Sequence, residues 1–358
     1  MNNSNQTSFQ TMKMLLAMIV FALPKVIWAK ELNDYGKIYV VNIPTTTTTA
    51  TYIKVYIDAL FTTIRQDMYN SGNAMYTVLV PYRDYEFYDP ITFQFTYLSN
   101  AIDNKQLNII GLTKDLADVL AVVSTQGTNS NAAWVSYINS NTAKTNMTCN
   151  NNPSSANFLT TNSSANYPKF IATQLPHQSF LKIINSITAA PNQTVLNNSI
   201  NIMGLEFAPP NGNTDFIFDP TPGNHPNFPD DQNSSGAGVY PAIYVSYMKN
   251  IYLDNLNIND LWGSGVTINN VINEYTYAYG NTDEVIIQDN LISNVWGKNN
   301  GNVPASCGFN IMGIKNGILQ HNKVFNDFIE EDVSTSLNSS CITSALIFSI
   351  TSFRLIII

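Results

Sequence analysis

The chain has 358 residues; 44% are apolar, 11% aromatic and only 12% charged. The charged share is about half the usual quarter, which excludes charge-driven disorder, and the length is ample for a large core. Seventeen Lys and Arg against twenty-five Asp and Glu give a net charge of −8. That balance excludes the electrostatic footprint of a nucleic-acid binder.

The N-terminus reads as an export signal. Lys13 precedes the apolar run Met14–Leu23, and Pro24 and Val26-Ile-Trp-Ala29 follow. Ile27 and Ala29 suit the −3 and −1 positions of a cleavage site. Residues 1–29 are therefore expected to be a signal peptide, with a mature start near Lys30. An uncleaved anchor is the alternative. Ten apolar residues are too few to cross a bilayer of about 30 Å, so no stable membrane insertion is expected after signal removal. The expected location is secreted, periplasmic or at the cell surface. Residues 30–49 form a Thr-rich leader.

Cys149, Cys307 and Cys341 form no CxxC pair, which excludes a zinc knuckle or thioredoxin-type site. At most one disulfide can form, and the spacing does not select the pair. Sequons occur at several places, including Asn146, Asn162, Asn192 and Asn233, and are explained by the abundance of Asn.

Ile53, Ile57, Leu60, Ile64 and Met68 recur at helical steps, and Ser71-Gly72 ends that helix. Short β-type runs follow at Thr77–Pro81, Tyr85–Phe93 and Leu107–Gly111. Residues 124–168 are a long excursion crowded with Asn, Ser and Thr. Ser199–Phe207 returns to alternation. Residues 208–241, dense in Pro, Gly, Asn and Asp, are a second excursion.

Three later segments resemble one another: Asn250–Gly263, Glu284–Gly297 and Asn316–Phe328. Each has alternating apolar residues, a polar break with Asn, then a second short apolar stretch. Two strands separated by one tight corner produce that pattern. Asn suits such a corner because it tolerates positive φ and bonds its own backbone. Stacking the units sets Asn290 beside Asn322, where their amides can bond up the stack at about 4.8 Å. Val285, Ile287, Ile292, Ile318 and Val324 are expected to face inward. This is a solenoid, in which each coil buries its apolar face against its neighbours.

These residues resemble the right-handed parallel β-helix repeat of the pectate-lyase-like superfamily, over roughly residues 50–330. The resemblance implies an all-β, right-handed parallel β-helix with an N-terminal capping helix and long loop insertions. Ile53–Met68 would be the cap, and Thr77–Pro81 with Tyr88–Phe93 the first coil. It further implies an extended carbohydrate as partner, because the superfamily holds polysaccharide lyases, glycoside hydrolases, uronate epimerases and non-catalytic binders. Residues 331–358 depart from the repeat and end in an irregular hydrophobic tail. Truncation, a plug for the open end of the solenoid and a membrane anchor are the readings of that tail. Arg354 and a run from Ile342 of only 17 residues weigh against the anchor.

Four constellations could carry chemistry. Asp289 and His321 fall opposite each other one coil apart, just outside the corner, as an oriented acid–base pair; the bland alternative is a weak exposed surface pair. Asp260, Asn294 and Asn326 align at a second corner, with Asp327 next to it, and stacked coils readily give the about 5–9 Å between carboxylates that glycoside hydrolysis uses. Asp289, His321 and Asp327 are the catalytic candidates, and Asp260 a substrate-binding one. Trp262, Trp296 and Phe328 recur at steps of 34 and 32 as an aromatic ladder, to stack on sugar faces if exposed or to fill the core if not. Asp215, Asp219, His225, Asp230 and Asp231 could line a groove or ligate Ca²⁺; no other cofactor is expected. The polygalacturonase pattern is rejected because its Gly-His-Gly and Arg-Ile-Lys elements are missing. No arginine lies between Arg83 and Arg354, which disfavours a lyase with an arginine base. The reading is a polysaccharide-acting β-helix, with a non-catalytic carbohydrate-binding or adhesin-like relative as the alternative.

Overall fold

The computed structural model describes residues 36–41, 43, 50–87, 90–112, 167–172, 180–186, 195–208, 241–262, 264–273, 278–279, 284–296, 308–314, 316–325 and 354–357. Residues 1–29, most of the leader, most of both excursions, all three cysteines and the sequons at Asn146, Asn162, Asn192 and Asn233 lie outside them.

The chain winds as repeated coils of three short strands. β1 (Lys37–Val40) and α1 (Ala50–Asn70) come first. The first coil is β2 (Met75–Val80), β3 (Asp84–Phe87) and β4 (Ile91–Gln94), followed by a small hairpin, β5 (Thr96–Tyr97) and β6 (Asn100–Ala101). The second is β7 (Gln106–Gly111), β8 (Lys169–Ala172) and β9 (Leu181–Ile184). The third is β10 (Ser199–Met203), β11 (Glu206–Ala208) and β12 (Ile243–Ser246). The fourth is β13 (Asn250–Asp254), β14 (Asn257–Trp262) and β15 (Val266–Asn269), with a second hairpin, β16 (Val271–Asn273) and β17 (Ala278–Tyr279). The fifth is β18 (Glu284–Gln288), β19 (Leu291–Trp296) and β20 (Phe309–Met312). A partial sixth holds β21 (Asn316–Gln320) and β22 (Lys323–Phe325), and β23 (Arg354–Ile357) follows.

Equivalent strands stack into three sheets with parallel pairing throughout. Sheet A runs β1-β2-β7-β10-β13-β18-β21-β23, sheet B runs β3-β8-β11-β14-β19-β22, and sheet C runs β4-β9-β12-β15-β20. The fold is a parallel β-solenoid. The sequence repeat anticipated two strands per unit, but the coil has three. The missing set is sheet C, of which only β4 was anticipated, within Tyr88–Phe93; its strands are four residues long and include Ile243–Ser246 and Val266–Asn269. The run Ser199–Phe207 is two strands bent at Gly204-Leu205. The segment Tyr85–Phe93 likewise divides between β3 and β4. The hydrophobic tail includes β23, which pairs in parallel with β21 at the edge of sheet A.

The core is built of columns, because register repeats from coil to coil. Ile200, Ile251 and Val285 stack in sheet A, as do Ile202, Leu253 and Ile287, all buried. Ile292 is buried as expected, but Ile318 pairs with Ile286 on the outward side of sheet A, and Leu319 takes the inward place. Within sheet B the rings of Tyr85, Phe170 and Phe207 stand edge to face, with centroids 5.5 Å apart at each step. Such spacing adds to simple burial.

The outward face of sheet A is buried too, and carries its own polar column. Asn201 Nδ2 donates to Asn108 Oδ1 at 2.7 Å, and Asn108 Nδ2 donates to Thr77 Oγ1 at 2.9 Å. Further along, Gln320 Nε2 reaches Gln288 Oε1 at 2.8 Å, and Gln288 Nε2 reaches the Tyr252 hydroxyl at 2.9 Å.

Helix α1 lays Ile53, Ile57, Phe61, Ile64 and Met68 against the first coil, with Phe61 edge-on to Phe93 at 5.1 Å. Its last turn holds no basic residue of its own. Lys105, from the start of the second coil, supplies one by donating to the carbonyls of Ser71 and Asn73. Asp67 near that end accepts from Lys37 Nζ and the Tyr39 hydroxyl, both at 2.7 Å, tying α1 to β1. Burial opposes the charge on Asp67, but the hydrogen bonds from Lys37 and Tyr39 outweigh it and lower its pKa below the ordinary value.

The Asn290–Asn322 contact anticipated from the repeat is present. Asn290 Nδ2 donates to Asn322 Oδ1 at 2.8 Å, and Asn322 Nδ2 donates to the Ile287 carbonyl at 2.8 Å. Asn290 Oδ1 accepts the Leu256 N–H of the preceding coil at 2.9 Å, and Asn322 Oδ1 accepts the Asn290 N–H at 3.2 Å. The amide thus satisfies an N–H that a sharp bend pulls out of the strand ladder. Asn290→Ala is expected to cost about 2–4 kcal/mol, since it orphans the buried Leu256 N–H and leaves a hole. Asn322→Ala should cost less, because Asn322 is only half-buried. Urea denaturation of the two variants checks the ranking.

Candidate functional site

The site grows from the corner between sheets A and B. Four successive coils turn there in two residues: Gly204-Leu205, Asn255-Leu256, Asp289-Asn290 and His321-Asn322. The first residue of each pair is left-handed, with φ of 65°, 54°, 56° and 53°. Positive φ therefore belongs to the residue before Asn290 and before Asn322, not to those asparagines. Gly, Asn, Asp and His are the residue types that tolerate this conformation best. Gly111 shows how tightly the coils approach: a Cβ there would lie 1.8 Å from the Gly204 carbonyl oxygen.

This conformation brings Asp289 and His321 together on one column, with His321 Nδ1 3.3 Å from Asp289 Oδ1. The approach is close but does not have the geometry of a directed hydrogen bond, and Oδ1 is left without a donor. The two side chains differ in exposure: 7% for Asp289 against 34% for His321. The bland reading required two exposed residues, and Asp289 is buried. Burial pushes its carboxyl up to about 6, with His321 pulling the other way. Asp289 can therefore hold a proton in mildly acidic water, beside an imidazole open to solvent.

The other candidates lie elsewhere. Trp262 and Trp296 are backbone register partners at the far end of β14 and β19, so their predicted stacking position is real at the level of the chain. They sit seven residues along β19 from Asp289, roughly 20 Å away at strand rise. The aromatic column and the acid–base pair therefore occupy opposite edges of sheet B. Asp260 lies within β14. The rings of Trp262 and Trp296, the Asp260 side chain, and the whole of Asp327 and Phe328 lie outside the described residues. So do Asp215, Asp219, His225, Asp230 and Asp231. Among the described residues no three His, Cys, Asp or Glu side chains converge as a metal cluster.

Sequence reasoning missed Glu206. It lies on the outward side of sheet B in the column Asp84, Lys169, Glu206, Asn257, set by the registers of β3, β8, β11 and β14. Lys169 Nζ approaches Glu206 Oε1 at 3.2 Å. Burial pushes the Glu206 carboxyl up, Lys169 opposes this, and Asp84 reinforces it. The signal was a lone acid between Leu205 and Phe207 in an otherwise apolar strand.

No family model and no curated protein matches the sequence. A solved structure with some likeness is the crystal structure of DFA-IIIase from Arthrobacter chlorophenolicus A6 in complex with DFA-III. It is 12% identical, the match covers 81% of this chain and 57% of that one, and the TM-score is 0.33. The chain thus spans little more than half the length of that protein, and a likeness of this order establishes neither a shared site nor a shared activity. Among the described residues, no helix is long and apolar enough to cross a membrane.

The two perturbed aspartates make opposite demands on pH. Asp289 is raised from 3.8 to about 6, so its stabilising contribution is complete below about pH 4 and is lost as pH rises through 6. The loss is on the order of 3 kcal/mol. Asp67 is lowered, so its contribution is complete above 3.8 and is lost as pH falls further. Asp289→Asn should abolish the decline between pH 4 and 6, measured as urea midpoints across that range, and leave the acid limb unchanged.

Proposed function

We propose that this chain is an exported, right-handed parallel β-helix that acts on a polysaccharide, with Asp289 and His321 as its acid–base pair. The observation that carries the reading is the buried Asp289 carboxyl with a pKa near 6 and His321 Nδ1 at 3.3 Å. A pKa near the working pH is what proton transfer requires. Protonated, Asp289 can donate to a leaving sugar oxygen, as a hydrolase needs. Ionised, it can take a proton from carbon, as a lyase or epimerase needs. His321, the more exposed partner, opens the pair to solvent. Asp327 remains the proposed companion carboxylate, and Trp262, Trp296, Phe328 and Asp260 the proposed sugar contacts.

The handedness rests on the general preference of parallel crossovers for right-handed turns. The apolar face of α1 against the first coil supports its role as the N-terminal cap, with the solenoid running over 50–330. A solenoid presents a long face to an extended ligand, and neutral or weakly charged glycans suit a chain of net charge −8.

A second reading is favoured by the corner itself. Asn255 and Gly204 fill the same column, and Asp and His suit left-handed φ for backbone reasons alone. On that reading the protein binds carbohydrate without turning it over.

Asn already occupies this place in the fourth coil, so Asp289→Asn and His321→Asn keep the corner while removing the titrating groups. With the purified protein and a polysaccharide panel, followed by reducing ends and by absorbance of unsaturated uronates, each substitution should cut turnover by about 10²–10⁴-fold. Binding without turnover in the parent protein, unchanged in both variants, would select the second reading. Expressed with its leader in a secreting host, the protein should be recovered outside the cell with its N-terminus near Lys30. Recovery only inside the cell, with Met1 intact, would overturn the export proposal.

A further inference from the structure

The outward column of sheet B alternates acid, base, acid in Asp84, Lys169 and Glu206, then reaches the amide of Asn257. Lys169 satisfies only one carboxylate oxygen, Glu206 Oε1, at 3.2 Å. Glu206 Oε2 and Asn257 Oδ1 are both buried, and neither has a hydrogen-bond partner. The two residues are 2% and 5% exposed. They are register partners on adjacent strands, so both side chains leave the same side of the sheet. Two neighbouring buried acceptors without a donor are costly, the more so when one belongs to a charged group.

A cation seated between them would satisfy both acceptors at once. Adjacent strands stand about 4.8 Å apart, which sets the scale on which side chains of register partners meet, and an oxygen–cation–oxygen bridge built from contacts of about 2.3–2.6 Å matches that scale. The shorter contacts of about 2.0–2.1 Å that Mg²⁺ demands fit it less well. Carboxylate and amide oxygens are hard donors, suited to hard cations. We propose that Glu206 Oε2 and Asn257 Oδ1 form a binding site for a hard, oxygen-seeking cation of Ca²⁺ or Na⁺ size, continuing the charge alternation of the column. Lys169 holds the other oxygen of the carboxylate and orients it. With two protein oxygens the remaining ligands are water or backbone, and affinity belongs to the weak range of about 10⁻⁴–10⁻³ M. The site is independent of the Asp289–His321 corner and of any turnover there.

The test uses the full chain, stripped with a chelator and dialysed at constant ionic strength. Calcium, sodium and magnesium chlorides are titrated in turn, with choline chloride as filler, by calorimetry and thermal melting. Saturable binding and a melting rise with Ca²⁺ or Na⁺, weaker or absent with Mg²⁺, are expected, and the active arm names the ion. Glu206→Gln should abolish the response, and Asn257→Ala should weaken it about tenfold. Lys169→Met should tighten it several-fold by removing a competing positive charge. Glu206→Gln is nearly isosteric, and Lys169→Met keeps the carboxylate, so the outcome does not hang on one variant's folding. A response to no cation, or one identical in Glu206→Gln, overturns the proposal. The two oxygens would then be satisfied by rotation of the Asn257 amide toward Glu206 or by a bridging water.

Discussion

The structure depends on one constraint: the chain must turn from sheet A to sheet B in two residues without breaking the hydrogen-bond ladder between coils. The first residue of the corner meets it with a left-handed φ, and its N–H still reaches the next coil. Asn255 N donates to the Gln288 carbonyl at 3.3 Å, and Asp289 N donates to the Gln320 carbonyl at 3.1 Å. The second residue meets it, in the fifth and sixth coils, with an asparagine amide that accepts a displaced N–H. Because the corner repeats, every column beyond it stays in register, and the core can be built of stacked rows of Ile, Leu and Val.

The same corner makes the candidate site. A left-handed position admits few side chains, and two of those few titrate. Stacking then fixes Asp289 and His321 one coil apart. What distinguishes them from an ordinary surface pair is not their spacing but the burial of the carboxyl, which raises its pKa while the imidazole stays in contact with solvent. Backbone necessity and chemistry therefore select the same residue types here, and only substitutions that keep φ positive separate the two.

The sequence made parts of this fold readable because a two-strand motif with a fixed corner leaves a mark in the chain. The spacing of Asn290 and Asn322, and of Trp262 and Trp296, translated directly into register. The apolar stripe of α1 was equally plain, since Ile53, Ile57, Ile64 and Met68 fall at helical steps and all bury. Beyond β4, sheet C was not legible: its four-residue strands lie next to insertions of varying length, so no constant period marks them. Nor was the reversal at Ile318, where both faces of sheet A are buried and alternation loses its meaning. The Asp289–His321 pairing could be read from the column, whereas the depth of Asp289 could not, because burial depends on packing from outside its own strand. Glu206 went unnoticed for a related reason. It stands in a row whose other members, Asp84, Lys169 and Asn257, are scattered over more than 170 positions of chain.

Columnar architecture also restricts how such a protein can adjust its chemistry. Two groups on one column are separated by whole multiples of the rise between windings, so their distance changes in jumps and never by degrees. A globular enzyme can slide a loop by half an ångström to tune a pair. Here that freedom is missing, and adjustment is left to side-chain torsions and to how much water reaches each group. The unequal wetting of Asp289 and His321 is what tuning looks like on a ruler with fixed marks.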